Sequence, residues 1–236
     1  MNLRKIVLSG VMICLAHTSI AAELSSEKQK YSYTVGRQIA QMLIAQEVSD
    51  LDMTAFSEGV DDFLNHKDSQ MSQADMQEAL KSHYQELQAA KQAQADANSE
   101  KGNKFRAENA KKSGVTVLES GLQYEVLKPG EGESPKGEDR VEVHYKGTLI
   151  DGTEFDSSYA RGAPLQFNLN GVVPGFREAI EHMNPGAKWR VVMPPELAYG
   201  MKGAGKKIGP NETLVFEIEY LGLAKSPAPA AAAATK

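Results

Sequence analysis

The chain has 236 residues, of which 41% are hydrophobic and 24% are charged. These proportions are typical of a protein with a packed core, and they exclude a fibrous or wholly disordered chain. The formal net charge of -5 argues against a sequence-independent nucleic-acid binder, which needs clustered Lys and Arg to neutralise phosphates.

The N-terminal segment has the layout of a secretory signal peptide. A short basic start precedes an apolar run over residues 6–15, and small residues follow at cleavage spacing. A membrane anchor is the alternative, but the run is shorter than the ~20 residues that a membrane span needs. A lipoprotein would be modified at Cys14, where bulky residues precede the cysteine instead of small ones. We therefore predict a signal peptide over residues 1–22, cleaved after Ala21 or Ala22.

The next segment, residues 23–71, is predicted to be helical. A first helix is expected from about Glu27 to Gln46, because apolar residues recur there at spacings of three and four. Thr54 is expected to cap a second, short helix. Fewer than 65 residues make a marginal core, so we predict that this segment is a dimerisation region. A small helical cap that folds back on its own C-terminal half is the alternative.

A long connecting helix is predicted over residues 72–112. Ser72 with Asp75 three residues later resembles a helix cap. At 1.5 Å per residue the helix would extend roughly 60 Å. Large apolar residues nearly stop after Leu87, so this helix has little to bury. We expect a solvated arm between two bodies, with a flexible linker that starts near Gly102 as the alternative.

The remaining half, residues 113–223, is predicted to be an α+β domain. Two stretches alternate apolar and polar residues, as strands with one buried face do. Asp151 and Gly152 form a hairpin-type turn. One helix begins at Pro174 and ends at the Asn-Pro-Gly sequence 184–186. One helix against an antiparallel sheet gives the α+β class. The apolar positions of the two alternating stretches are Val141, Val143, Tyr145, Leu214, Phe216, Ile218 and Tyr220. After this domain, the Ala/Pro tail over residues 224–236 cannot support a packed core.

Several short motifs follow one another in this half in a fixed order. They read HYKGTL (144–149), DGTEFDSS (151–158), PLQF (164–167), VVPGF (172–176), PPELAYG (194–200) and TLVF (213–216). Their order and spacing strongly resemble the FKBP family of peptidyl-prolyl cis/trans isomerases, and the resemblance covers roughly residues 115–223. It implies an FKBP-like antiparallel sheet wrapped on one short helix, and isomerisation of X-Pro peptide bonds.

The whole layout of signal, helical region, long helix and FKBP-like domain is similar to the exported Mip and FkpA type. The segment YSYTVG (31–36) is similar to the start of the dimerisation region there, although this match is shorter. The resemblance implies a periplasmic homodimer with two catalytic domains on helical arms. It leaves open whether the protein stays soluble or associates with the outer membrane.

The resemblance also implies site residues. Asp156, Tyr199 and Val173 are the expected catalytic residues, with the Val173 backbone N–H and the Tyr199 hydroxyl bonding substrate carbonyls. Arg161 is expected to support the aspartate. The predicted substrate-binding residues are Tyr145, Phe155, Val172, Phe176, Ile208, Phe216 and Arg161. The site departs from the common pattern at Phe176, where Trp is usual. Trp189 is predicted to lie in the core, and His144 on the surface.

The expected chemistry needs no nucleophile, metal or cofactor. An X-Pro bond crosses a barrier of ~18–20 kcal/mol, which arises because amide resonance is lost in the twisted state. An apolar pocket that removes water destabilises the planar amide relative to the less polar twisted state.

The expected partners are proline-containing unfolded or partly folded polypeptides, and the resemblance adds macrolide inhibitors such as FK506 or rapamycin. We therefore predict a folding helper for exported proteins. The alternative is a clamp-like dimeric holdase chaperone in which isomerisation is secondary. A purely structural adaptor would leave the pocket idle.

Overall fold

The computed structural model describes residues 24–46, 48 and 50–224, which form two compact units divided after Ser72. The predicted signal peptide and most of the predicted tail lie outside the described residues. Within these ranges no helix is both long and apolar enough to cross a bilayer.

The first unit contains two helices, α1 (Glu27–Ala45) and α2 (Met53–Leu64). α1 begins with a capping box between Ser26 and Gln29. α2 is capped by Asp52, whose carboxylate accepts hydrogen bonds from the backbone N–H groups of Thr54 and Ala55 at 2.9 and 3.0 Å. The expectation that Thr54 is the cap is therefore wrong, because an aspartate two residues earlier already satisfies the free N–H groups.

Neither helix of this unit contains a buried residue. The relative exposure is 71% for Tyr31, 60% for Met42 and 82% for Phe63. The apolar stripes that the sequence predicts therefore remain uncovered in the single chain.

The second unit begins with the 37-residue helix α3 (Gln73–Asn109). This helix is continuous through Gly102, so the alternative of a flexible linker starting there is wrong. Leu80 and Tyr84 on its first half are exposed, whereas Ala95, Gly102 and Asn109 on its second half are buried. The expected solvated arm therefore describes only the first half. The second half packs on the rest of its unit through small and polar side chains, which give no hydrophobic signal in the sequence.

An antiparallel sheet of seven strands follows α3. The strands are β1 (Val115–Val117), β2 (Gln123–Lys128), β3 (Arg140–Leu149), β4 (Glu154–Ser157), β5 (Leu165–Asn168), β6 (Lys188–Met193) and β7 (Leu214–Leu223). Their order is β1-β2-β6-β7-β3-β4, and β5 pairs with the first half of β3. Burial alternates along β3 and, from Phe216 onward, along β7, which confirms the predicted strands with one buried face.

One short helix, α4 (Pro174–Glu181), packs on this sheet. Proline occupies its first turn, where a missing N–H costs nothing, and Phe176, Ala179 and Ile180 form its buried face. These residues belong to one core cluster with inward residues of the strands, including Val143 and Ile218. The sheet wrapped on one helix confirms the predicted fold class.

Candidate active site

The second unit contains an aromatic cavity between α4 and the strands β3, β4, β5 and β7. Its volume is about 280 Å³. Its lining consists mainly of aromatic and aliphatic side chains: Tyr145, Phe155, Asp156, Leu165, Phe167, Gly171, Val172, Val173, Phe176, Tyr199 and Phe216. We refer to it below as the aromatic cavity.

A glycine makes room for two of these rings. Gly147 of β3 pairs with Phe216 of β7 and, like Tyr145, is an inward position of β3. A Cβ at Gly147 would come within 2.5 Å of the Phe155 ring and 2.8 Å of the Phe216 ring. Because real Cβ atoms do not approach other atoms this closely, any larger residue would displace a wall of the aromatic cavity.

The floor of the aromatic cavity is Phe176 in the first turn of α4. Its ring centroid lies 5.6 Å from that of Tyr145, 5.8 Å from that of Phe167 and 5.2 Å from that of Phe216. The rings of Tyr145 and Phe216 meet it edge to face, which is a favoured aromatic geometry. Only 5% of Phe176 is exposed, so its position is fixed by packing on several sides.

A hydrogen-bonded group of three polar side chains closes one side of the aromatic cavity. The Asp156 carboxylate accepts hydrogen bonds from the Tyr145 hydroxyl and from Nη1 of Arg161. Nη2 of Arg161 also donates to Oη of Tyr145 at 2.8 Å, and the Ser157 N–H donates to Asp156 at 2.8 Å. The guanidinium carbon lies 5.4 Å from the Tyr145 ring centroid, which is a cation–π distance.

These contacts decide the ionisation of the group. Burial raises the pKa of Asp156, but the hydrogen bonds from Tyr145 and Arg161 outweigh it, so the pKa lies below its ordinary value of 3.8. Burial, reinforced by the hydrogen bond to Asp156, raises the pKa of Tyr145. The carboxylate is therefore charged and the phenol neutral near pH 7.

Two hydrogen-bond donors at the aromatic cavity have no hydrogen-bond partner within the described part of the chain. One is the N–H of Val173, the residue that caps α4 and whose carbonyl accepts from Phe176 and Arg177. The other is the hydroxyl of Tyr199, a residue that is 38% exposed. Burial and the charge of Asp156 raise the pKa of Tyr199, so its hydroxyl keeps its proton. Both donors are available to a bound ligand.

A second cavity of about 380 Å³ adjoins the first, and we call it the loop cavity. It shares Phe155, Asp156 and Tyr199 with the aromatic cavity, and residues 204–208 form its other wall. Nζ of Lys207 donates to the carbonyls of Glu154 and Phe155 at 3.4 and 3.3 Å, which ties this wall to β4.

The structure brings together the residues that the sequence predicts for the site. Those predicted to bind substrate line the aromatic cavity, except that Ile208 lines the loop cavity and Arg161 acts through its contacts with Asp156 and Tyr145. Their catalytic roles stay predictions. Sequence reasoning did not select Leu165, Phe167 or Gly171, which also line the aromatic cavity. The PLQF motif that contains the first two was the signal that could have identified them.

Two other aromatic predictions concern Trp189 and His144. Trp189 is 7% exposed and stacks on Tyr124 with ring centroids 4.1 Å apart, which confirms it as a core residue. His144 is partly buried and stacks on Tyr159, and its Nδ1 lies 2.9 Å from Oγ of Ser158. His144 therefore lies on the opposite face of β3 from Tyr145, as predicted, and the segment after β4 covers part of its ring.

Two family models together cover most of the chain. Residues 131–221 match the model of the FKBP-type peptidyl-prolyl cis-trans isomerase, and residues 28–126 match the domain amino terminal to FKBP-type peptidyl-prolyl isomerase. The chain is 45% identical over 190 residues to the FKBP-type 22 kDa peptidyl-prolyl cis-trans isomerase of Escherichia coli, covering 80% of this chain and 92% of the relative.

Two further relatives match over nearly the whole length. The chain is 39% identical over 227 residues to the peptidyl-prolyl cis-trans isomerase Mip of Coxiella burnetii, covering 92% of this chain and 96% of that protein. The crystal structure of FkpA from Escherichia coli superposes with a TM-score of 0.60 at 40% identity, covering 86% of this chain and all of that one.

Proposed function

The chain belongs to the FKBP-type peptidyl-prolyl cis-trans isomerases, and we propose that it isomerises X-Pro bonds of exported polypeptides in the aromatic cavity. The observation that carries this assignment of the site is a cavity lined by aromatic rings, beside one paired carboxylate and two donors that have no partner among the described residues. Unfolded or partly folded proline-containing chains are its substrates, and it acts as a folding helper. Macrolides such as FK506 or rapamycin are expected to compete for the same cavity.

Removal of water is the main catalytic effect in this proposal. The planar X-Pro amide has more charge separation than the twisted state, so water stabilises the planar form more. A proline ring on Phe176, between Tyr145 and Phe216, would lose most of its contact with water. The site thereby raises the planar amide in free energy relative to the twisted state.

The two unpaired donors would fix the substrate backbone. The N–H of Val173 and the hydroxyl of Tyr199 each donate to a substrate carbonyl. These hydrogen bonds hold the chain on either side of the proline while the X-Pro bond rotates, and a geometry that fits the twisted state better than the planar one lowers the barrier.

Asp156 acts in this proposal by holding a wall of the aromatic cavity. Its carboxylate accepts the hydroxyl of Tyr145, and Arg161 bonds to both residues. The carboxylate also presents a fixed negative charge beside the twisting amide. Arg161 pairs this charge in an ion pair that is partly exposed to solvent.

A protease-coupled assay on a proline peptide tests the site. We expect Asp156→Ala and Tyr199→Ala to lower kcat/KM about tenfold or more, which corresponds to ~1.4 kcal/mol of transition-state stabilisation. Asp96→Ala is the matched control, because Asp96 is exposed on α3 and its hydrogen bond within the described part of the chain is with Gln92. Full activity in both site variants would remove these residues from the mechanism.

We further propose that the first unit pairs two copies of the chain. Its apolar stripes are exposed in the single chain, where Tyr31, Met42 and Phe63 are each at least 60% accessible. Pairing would remove this surface from water, at about 25 cal/mol per Å² of apolar area. Light scattering on the full protein should give the mass of two chains, and Phe63→Glu should shift it toward one. A monomeric full protein would favour the alternative of a helical cap.

Export and holding of clients complete the proposal. The predicted signal peptide over residues 1–22 supports a periplasmic location, and cell fractionation would show whether the protein is found in the periplasm or with the outer membrane.

The clamp-like holdase remains a second candidate because exposed apolar residues on α1, α2 and the first half of α3 could bind unfolded chains. Suppression of aggregation that survives Tyr199→Ala would support it.

A further inference from the structure

One face of the second half of α3 is small and polar, yet it is packed. Its residues recur every three or four positions and so share one side of the helix. Ala95 and Gly102 are buried, and Asn109 is only 2% exposed. Glycine weakens a helix interior relative to alanine, so a glycine here indicates close approach of another element. We call this the docking face: Gln94, Ala95, Asn98, Gly102, Arg106 and Asn109.

The docking face contacts the segment that leads into β7. Nδ2 of Asn98 donates to the carbonyl of Pro210 at 2.8 Å. A Cβ on Gly102 would lie 2.4 Å from Oγ1 of Thr213, so only glycine allows this approach. Nη1 of Arg106 donates to the same Thr213 hydroxyl, and Thr213 is 1% exposed.

The end of α3 is also anchored on the sheet. Nδ2 of Asn109 donates to Gln123 of β2 at 2.9 Å, and Gln123 in turn donates to the carbonyl of Arg106 at 3.0 Å. Arg190 of β6 donates to Oδ1 of Asn109 at 3.1 Å. These buried, mutually satisfied hydrogen bonds fix the helix relative to the sheet, so the docking face is a rigid support.

The supported segment also forms part of the site. Residues 199–213, called the active-site loop, begin at Tyr199 of the aromatic cavity and include Ile208 of the loop cavity. Pro210, which Asn98 holds, is two residues after Ile208. The intervening Gly209 lies under Gln94, because a Cβ there would be 2.9 Å from the Gln94 amide nitrogen.

Internal hydrogen bonds join the two sides of the active-site loop. Ala204 and Ile208 exchange backbone hydrogen bonds at 2.9 and 3.2 Å, and the N–H of Asn211 donates to the carbonyl of Gly200 at 2.9 Å. The side held by α3 therefore cannot shift without moving the side that faces the substrate.

We propose that the docking face of α3 positions the active-site loop, with Asn98 as the main positioning residue for substrate binding. This inference rests on the proposed site, and it extends the functional isomerase unit into a helix that carries no residue of the cavities proposed to bind substrate. Because α3 acts through Tyr199 and Ile208, its loss should weaken substrate binding more than it slows rotation of the bound substrate.

The test uses the full protein and two variants. Asn98→Asp keeps the side-chain shape but replaces the donor to Pro210 with a carboxylate. Gly102→Leu pushes the helix away from Thr213. For each folded protein, kcat and KM are measured separately on a proline peptide, and hydrogen exchange is followed at the Ala204 and Ile208 amides. We expect KM to rise about fivefold, kcat to stay within twofold, and both amides to exchange faster.

The matched control is Gln88→Glu, the same amide-to-carboxylate change at an exposed position of α3. We expect its KM and exchange rates to equal those of the unaltered protein. If KM is unchanged in Asn98→Asp, the inference is overturned, whether or not the Ala204 and Ile208 amides exchange faster. An equal rise of KM in Gln88→Glu also overturns it. If the unaltered protein is inactive on every proline peptide, the proposed function fails, and this inference fails with it.

Discussion

Phe176 offers the sharpest test of the aromatic cavity, because it belongs to both the core and the proposed site. Phe176→Leu keeps an apolar side chain but removes three ring contacts, at centroid distances between 5.2 and 5.8 Å. Each ring pair contributes about 0.5–1.5 kcal/mol beyond area burial, and the remaining leucine contacts offset part of the loss. We expect the free energy of unfolding to fall by ~2 kcal/mol, which lowers Tm by roughly 4–8 °C.

The effect on activity should be separate from this loss of stability. Well below Tm the variant is still folded, and we expect kcat/KM in the protease-coupled assay to fall about tenfold, or ~1.4 kcal/mol. Tyr124→Leu is the control, because it removes a ring stacked on Trp189 outside the aromatic cavity. It should lower Tm and leave kcat/KM unchanged. A Phe176→Leu protein that loses stability but keeps kcat/KM within twofold would refute the proposal that Phe176 speeds isomerisation by removing water from the bound proline.

Three further predictions concern ionisation, a buried hydroxyl and charge. Because the pKa of Asp156 is lower in the folded protein than its ordinary value of 3.8, the ionised carboxylate contributes its full share of stability above pH 3.8. This contribution is lost as the pH falls through the lower pKa of the folded state. The free energy of unfolding of Asp156→Asn, measured against pH, should lack this acid-dependent loss. The Tyr220 hydroxyl is buried without a hydrogen-bond partner among the described residues, so Tyr220→Phe should keep or raise Tm, and a clear fall would contradict this. Lys206 is exposed beside the loop cavity, so its charge should attract an acidic substrate. A substrate peptide with Glu next to the proline should have a kcat/KM about twofold higher than the same peptide with Gln, and Lys206→Gln or high salt should abolish this difference.

The sheet and α4 could be predicted because their residues follow simple periods. Val141, Val143 and Tyr145 alternate with polar residues, and the same period continues through β7. Pro174 marks the start of α4, although the helix ends at Glu181, before the predicted Asn-Pro-Gly sequence. These signals are local, so they remain readable without knowledge of the tertiary structure.

The docking face of α3 could not be predicted from the sequence for the opposite reason. Asn98, Gly102 and Asn109 are small or polar, and such residues on a helix normally face water. Their burial depends on Thr213, Gln123 and other partners that lie 14 to 112 residues away in the chain. Pairs at this separation give no periodic signal, so the sequence suggested a solvated arm.

The proposed site was predicted from the order of motifs and not from chemistry, and the structure shows how its polar groups are ionised. General acid–base sites bring a pKa toward neutrality, so that one group can both bind and release a proton at the working pH. Here the pKa of Asp156 moves down, and those of Tyr145 and Tyr199 move up. The hydrogen bonds from Tyr145 and Arg161 therefore keep Asp156 charged, and burial keeps Tyr145 and Tyr199 neutral, across the physiological range. Such a site suits a reaction in which an amide rotates and no proton is transferred, as isomerisation of an X-Pro bond requires.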